Sequence, residues 1–263
     1  MRHTIALLVI VALLAACATT TSSTGRRQYV GAVSQDQLNQ LGAQAFTEAK
    51  QKGPLSTDGK QNAYVRCVVS ALVQQLPADQ QRVAWETAVF AENEPNAYAL
   101  PGGKVGVNTG IFSVAKNQDQ LAAVIGHEIG HVVERHHDER ITRQMGAAGA
   151  VQLLGSLAGD YGQLASQGGS VLAQTGFLLP GSRAQESEAD VVGQRMMAQA
   201  GFDPRAAVAL WQNMIAAGGS RPPQWLSTHP DPQSRISELQ ARANTLVPTY
   251  EQARAAGRRP ACG

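Results

Sequence analysis

The sequence predicts a predominantly helical α+β fold with a small antiparallel sheet. Apolar residues recur at helical spacing from residue 34 onward, while residues 83–89 alternate and two extended runs flank a Pro-Gly-Gly turn. A chain of 263 residues, 43% hydrophobic and 16% charged, can form a packed core in one medium domain or two small ones. The net charge of +2, without a basic stripe, argues against a nucleic-acid partner.

The first 16 residues have the pattern of an export signal. A basic start precedes an apolar run from Ile5 to Ala16 that is too short to span a bilayer comfortably. The following Leu14-Ala15-Ala16-Cys17 resembles the bacterial lipobox, so Cys17 is predicted to be lipidated and to anchor residues 17–33 as a polar tether. Ala18 in place of Asp favours the outer membrane, facing the periplasm. The alternative is an ordinary secretory signal in which Cys17 is incidental.

Two cysteines remain in the body of the chain. Export places Cys67 and Cys262 in an oxidising compartment, where they could form one disulfide that closes nearly the whole domain. The alternative is a pair of free thiols.

The elements follow in order along the chain. The helical spacing of apolar residues in 34–76 predicts two helices, separated by the helix-breaking segment KGPLSTDGK. The alternation from Val83 to Val89 predicts a strand, and the runs around Pro101 predict two more, the last at Val105–Thr109. From Gln118 the period is helical through Arg140 or beyond.

Residues 141–182 are small, apolar and Gly-rich, which fits either a mobile hairpin or lid, or a small-residue helix pair packed on the core. A clear helix follows at residues 184–200 with Gly201 as its stop, and Asp203-Pro204 begins the next. The last helix comes after the segment STHPDP. The predicted domain therefore covers residues 34–250, with residues 251–263 as a C-terminal tail.

Four of the six histidines lie in the segment GHEIGHVVERHH. His127 and His131 are four residues apart on one helical face, so both imidazoles can reach one metal ion. Glu128 lies about 100° around the helix, where it can take a proton from a water without binding the metal. His136 and His137 do not share this spacing and are interpreted as supporting or surface residues.

A catalytic zinc site needs a third protein ligand and an open position. The helix at residues 184–200 offers Glu186, Glu188 and Asp190, of which Glu186 and Asp190 share a face. One of this pair could bind the metal while the other orients an imidazole. The other interpretation, a solvated acidic face, is disfavoured by the small or apolar residues beside it.

Four segments together resemble the gluzincin metallopeptidase family of the CAAX prenyl proteases, the membrane heat-shock protease and the periplasmic assembly lipoproteins. They are NAYALPGGKVGVNTGIF, LAAVIGHEIGHVVERH, SRAQESEAD and STHPDPQSRI, in order over roughly residues 85–240. The resemblance implies a zincin-like domain that holds one Zn²⁺ through His127, His131 and Glu186. It also implies Glu128 as the catalytic base and Asp190 behind the ligands.

The resemblance carries two further roles. His229 would lie over the metal and either polarise the scissile carbonyl or occupy the open position. The segment Val105, Gly106, Val107 and Asn108 would be an edge strand on which an extended substrate is laid. Arg183 is expected to help hold the second helix near the site.

The sequence therefore predicts a lipid-anchored zinc endopeptidase acting on unfolded or misassembled envelope proteins. No apolar segment after residue 17 reaches spanning length, which separates it from the intramembrane members of the family. A competing hypothesis is a chaperone-like assembly factor that keeps the fold and metal with little proteolysis. A purely structural zinc site is disfavoured, since such sites are usually Cys-rich and closed.

Overall fold

The structure, a computed structural model, describes residues 19–146, 181–217, 229 and 232–263. Its helices are α1 Gln35–Lys52, α2 Gly59–Val73, α3 Ala78–Gln81, α4 Gln118–Val133, α6 Arg183–Ala200, α7 Ala206–Ala217 and α8 Pro232–Ala255. Residues 136–146, called α5, are also helical. The strands are β1 Thr19–Thr21, β2 Arg27–Tyr29, β3 Glu86–Phe90, β4 Ala97–Leu100 and β5 Lys104–Asn108. The predicted α+β class with mostly helical character is confirmed.

Several predicted helix ends coincide with capping residues. Ser34 and Ser182 each form a capping box at the start of α1 and α6, in which their side chains accept from Gln37 and Gln185. Gly201 closes α6 in the left-handed conformation at φ 87°, as predicted for its stop. Local hydrogen bonds thus fix the length of the helix that supplies the carboxylates.

The three-stranded sheet differs from the prediction in its order. β5 lies in the middle, parallel to β3 and antiparallel to β4, so the predicted edge position of Val105, Gly106, Val107 and Asn108 is wrong. The consecutive burial of Val105, Gly106 and Val107 fits a strand covered on both faces. Gly106 is required there because a Cβ would lie 2.2 Å from the Tyr98 ring.

Helix α4 is the central element of the core. Every residue from Gln120 to His131 is buried, and the helix contacts α2, α6, α7 and β4. A helix covered on all sides needs apolar residues around its circumference, which Leu121, Val124 and Ile125 supply with no exposure. The polar residues of its last turns are therefore held in a rigid, dry environment.

Residues 19–29 and 251–263 are more ordered than predicted. In place of a polar tether, β1 and β2 form an antiparallel hairpin, because Arg26 pairs with the buried carboxylates Glu139 and Glu188. In place of a tail, α8 runs to Ala255, and Cys262 forms a disulfide with Cys67 across a Cα–Cα distance of 5.5 Å. These two segments are thus parts of the folded domain.

Some predictions concern residues outside the described ranges. The signal peptide of residues 1–16, the lipidation site Cys17 and residues 147–180 of the Gly-rich segment 141–182 lie there. Within the described ranges, no helix has both the length and the apolar character needed to cross a membrane.

Candidate metal centre

Small residues let α4 and α6 approach closely enough to share a site. A Cβ on Gly193 would lie 2.7 Å from the backbone of Gly126 and His127, and one on Gly130 would lie 2.9 Å from the carbonyl oxygen of Ala189. The two backbones are therefore in contact along this line. This contact brings the carboxylates of α6 up to the histidines of α4.

We expect the substitution Gly193→Ala to destabilise the protein by about 1–3 kcal/mol, since the added methyl group overpacks a backbone contact. The gain in helix propensity, about 1 kcal/mol, would offset only part of this. Zinc affinity should fall with it because the helices must separate. Thermal unfolding and a chelator competition measure both effects. Gly59→Ala, at the start of α2 where a Cβ meets nothing within 4 Å, is the matched control. An equally stable Gly193→Ala protein would contradict the close-contact argument.

The predicted ligands converge in the described structure. Nε2 of His127 lies 3.0 Å from Nε2 of His131 and 3.3 Å from Oε2 of Glu186. Nε2 of His131 lies 3.5 Å from Oε1 of Glu186. Together with His229, all four residues are buried, and their ligand atoms lie within 4.8 Å of one another.

This group of atoms fits a zinc ion. Four ligands at about 2.0–2.1 Å in a tetrahedron are about 3.3 Å apart, close to the separations observed. Within the described part of the chain, Oε1 of Glu186 is buried and accepts no hydrogen bond, an expensive state that a bound cation would relieve. Two imidazoles and one carboxylate are also the donor set of catalytic rather than structural zinc sites.

Asp190 holds His127, as predicted. Its Oδ1 lies 2.9 Å from Nδ1 of His127, so the imidazole donates there and directs Nε2 toward the ligand group. Burial and the nearby Arg235 charge lower the pKa of His127, but the hydrogen bonds to Asp190 and Glu186 outweigh them and raise it to about 9. A metal ion that binds Nε2 must displace the proton that Nε2 carries when the imidazole is charged. Metal affinity is therefore expected to fall as the pH falls.

Arg235, near the start of α8, is a site residue that the sequence reasoning missed. Its Nε and Nη2 donate to Asp190 at 2.7 Å each, and Nη1 donates to Glu186 at 3.0 Å. Its guanidinium also stacks over Trp211, 4.0 Å from the ring centroid. Arg183 is exposed in the first turn of α6, and its expected role in holding that helix stays a prediction. The sequence did indicate that such a residue was needed, because two carboxylates predicted to be buried require a buried cation.

His136 is closer to the metal centre than a continuous helix would allow. The chain leaves the helix after Val133, and Arg135 adopts a left-handed φ of 55° before α5 begins. The break turns His136 back, so that its Nδ1 lies 2.8 Å from Nδ1 of His131. His136 is therefore a supporting residue rather than a surface one, and its neighbour His137 is buried as well.

Glu188 holds His136 in turn, although Glu188 does not share the helix face of Glu186 and Asp190. Its Oε2 lies 2.9 Å from Nε2 of His136. Burial raises the pKa of Glu188, but hydrogen bonds from His136, Thr24 and Arg26 outweigh burial and lower it to about 2. Glu188 is thus an anion that accepts from an imidazole.

Glu128 and His229 lie on the remaining side of the ligand group. Nε2 of His229 is 3.3 Å from Oε1 of Glu128, and its Nδ1 is 2.7 Å from Oε2 of Glu186. Glu128 therefore stands beside the ligands, as its position on the helix predicts. His229 is near enough to assist a reaction there or to bind the metal itself.

The fold and this site are typical of the metallopeptidases of the H-E-x-x-H class, with a glutamate on a second helix as the candidate third ligand. The comparison with known families agrees: the model of Peptidase family M48 matches residues 59–243, more than half of the chain. The chain belongs to peptidase family M48.

Its relatives include proteins named as a metalloendopeptidase and as a protease. The chain is 42% identical over 158 residues to the mitochondrial metalloendopeptidase OMA1 of Schizosaccharomyces pombe, covering 59% of this chain and 46% of that protein. It is 29% identical over 230 residues to the beta-barrel assembly-enhancing protease of Escherichia coli K12, covering 84% of this chain and 46% of that protein. The chain thus spans about half the length of the curated relatives it matches.

Proposed function

We propose that this protein is a zinc-dependent endopeptidase of the bacterial cell envelope that cleaves misfolded or misassembled envelope proteins. The observation that carries the reaction is the buried group of His127, His131 and Glu186 with Glu128 beside it. The envelope location rests on the export and lipobox pattern at residues 1–17. Similarity to the Escherichia coli beta-barrel assembly-enhancing protease supports the proposed action on envelope proteins.

The three ligand side chains would hold Zn²⁺, which when bound supplies Lewis acidity toward water and the scissile carbonyl. Glu128 accepts a proton from the attacking water and then donates it to the leaving amine, the two proton transfers that peptide hydrolysis requires. Asp190 keeps Nδ1 of His127 protonated, so that Nε2 faces the metal. Burial of the site keeps bulk water away and strengthens each of these interactions.

His229 assists by donating a hydrogen bond to the carbonyl oxygen as negative charge develops there. Its imidazole lies next to both Glu128 and Glu186, which places it at the edge of the reacting group. The same position lets it serve as a fourth protein ligand in a resting state, and the substrate would then have to displace it.

An extended substrate would pair with the sheet. Since β5 is the middle strand, the outer strand beside the helix of the metal ligands is β4, Ala97–Leu100. Strand addition to β4 would align a peptide by its backbone alone and so suit unfolded chains of varied sequence.

The alternative, a chaperone-like assembly factor that rarely cleaves, is favoured by the position of His229 among the ligands. A histidine that permanently fills the open position would leave the metal structural. The two functions differ in the fate of a bound client, which a peptidase degrades and an assembly factor protects.

Metal removal tests the proposal. We expect purified protein covering residues 18–263 to digest casein, to lose that activity in 1,10-phenanthroline and to regain it with stoichiometric Zn²⁺. The release of dye from labelled casein measures cleavage, and metal analysis measures zinc content. Zinc-loaded protein that protects casein from aggregation without cleaving it would support the assembly factor and overturn the peptidase.

A further inference from the structure

We propose that the N-terminal hairpin of residues 19–29 is part of the metal site, holding the ligand His131 through the positioning residues Arg26, Glu188 and His136. This inference rests on the proposed zinc site. The hairpin precedes residue 59, where the match to the family model begins.

The first link orients the ligand. His131 and His136 are in contact through their Nδ1 atoms at 2.8 Å, and Nε2 of His136 lies 2.9 Å from Oε2 of Glu188. A carboxylate only accepts, so His136 donates from Nε2 and accepts at Nδ1. His131 must then be the donor at its own Nδ1. Its Nε2 is left with the lone pair that a metal needs.

The second link ties Glu188 to the hairpin. Arg26 donates from Nε to Oε2 of Glu188 at 2.8 Å, and the Thr24 hydroxyl donates to Oε1. The same guanidinium makes two hydrogen bonds to Glu139, at 2.9 and 2.8 Å. Arg26 therefore joins α5 to α6 by pairing with two carboxylates whose side chains are 0% and 2% exposed.

The third link fixes the helix break that brings His136 into place. Gln28 donates to the carbonyl oxygen of Glu134 at 2.5 Å, and the backbone and hydroxyl of Ser23 donate to the Glu134 side chain. Two residues after the hairpin, the backbone N–H of Gly31 donates to Asp138 on α5 at 2.9 Å. The hairpin thus stabilises the end of α4 and the start of α5, between which the chain turns.

Loss of Arg26 would leave Glu188 buried without its cation, whereas Glu139 would keep its ion pair with Arg143. Glu188 could then shift away from His136, and His131 would lose its fixed orientation. Changes to groups that orient a metal-bound histidine typically cost about 10–100-fold in metal affinity. We expect this range for Arg26→Gln.

The test compares Arg26→Gln with Arg27→Gln, which removes the same charge from an exposed position in the same hairpin. Zinc affinity is measured by competition with a fluorescent chelator, and ligand geometry by the visible spectrum of the Co²⁺-loaded protein. We expect weaker zinc binding and an altered Co²⁺ spectrum for Arg26→Gln alone. Wild-type affinity and spectrum in Arg26→Gln, or an equal loss in Arg27→Gln, would overturn the proposal.

Two further variants guard against a folding defect. Thr24→Val removes one hydrogen bond to Glu188 and should weaken zinc binding about threefold to tenfold. His136→Phe should weaken it as much as Arg26→Gln, and the double variant should be no weaker than His136→Phe, because both act along one chain of contacts. Additive losses, or a Thr24→Val protein with wild-type affinity, would contradict the inference. These affinities decide it whether or not the protein cleaves peptides.

Discussion

Replacing Glu128 with glutamine is expected to leave zinc in place and to reduce peptide-bond cleavage about a hundredfold to ten-thousandfold. Glutamine has nearly the shape of glutamate, so the buried helix should pack unchanged. It cannot accept a proton from the attacking water, and it cannot return one to the leaving amine. Cleavage of labelled casein and zinc content per chain, measured on the same preparation, give both quantities.

The exposed Glu251 on α8 provides the matched control, since Glu251→Gln makes the same chemical change at a residue outside the candidate ligand group. Full cleavage by Glu128→Gln would refute its role as the base. Loss of zinc together with activity would show that Glu128 acts as a ligand, which its place beside the group formed by His127, His131 and Glu186 argues against.

The candidate ligands could be proposed from the sequence because their positions follow local rules. The i and i+4 spacing of His127 and His131 places both on one face of a helix, and this holds wherever that helix packs. The pairing of Glu186 with Asp190 follows the same rule on α6. The choice of Glu186 over Glu188 required the family resemblance, because spacing alone does not say which carboxylate approaches the metal.

The contacts that sequence reasoning left open or missed join distant segments of the chain. His136 reaches His131 only because the helix breaks at Arg135, and hydrogen bonds from the hairpin stabilise that break. Arg235 reaches Asp190 only after α8 folds onto α6. A periodic pattern describes one element at a time, so it cannot reveal either contact.

Periodic patterns also could not predict the order of the strands in the sheet. Alternation predicted strands near Val89 and Val107, and the Pro101 turn predicted the antiparallel pairing of β4 with β5. Strand order depends on where the chain returns, and here β5 enters between β3 and β4. The available signal was the unbroken apolar run Val105-Gly106-Val107, which is typical of a central strand.

Replacing Arg235 with leucine is expected to destabilise the metal-free protein by about 3–5 kcal/mol, because Asp190 and Glu186 would be left without their buried cation. The stacking on Trp211 would be lost as well. For a chain of this size the melting temperature should fall by roughly 6–20 °C. Circular dichroism on chelator-treated protein measures this directly, and zinc loading afterwards shows whether the ligands still assemble.

Arg195→Leu makes the same substitution at an exposed position of α6, so it should change stability little. Adding Asp190→Asn to Arg235→Leu removes one of the uncompensated charges while keeping an acceptor for Nδ1 of His127. The double variant should therefore be more stable than Arg235→Leu alone. If it is less stable by the sum of the two single losses, the cost of Arg235→Leu arises from lost packing, and the charge argument fails.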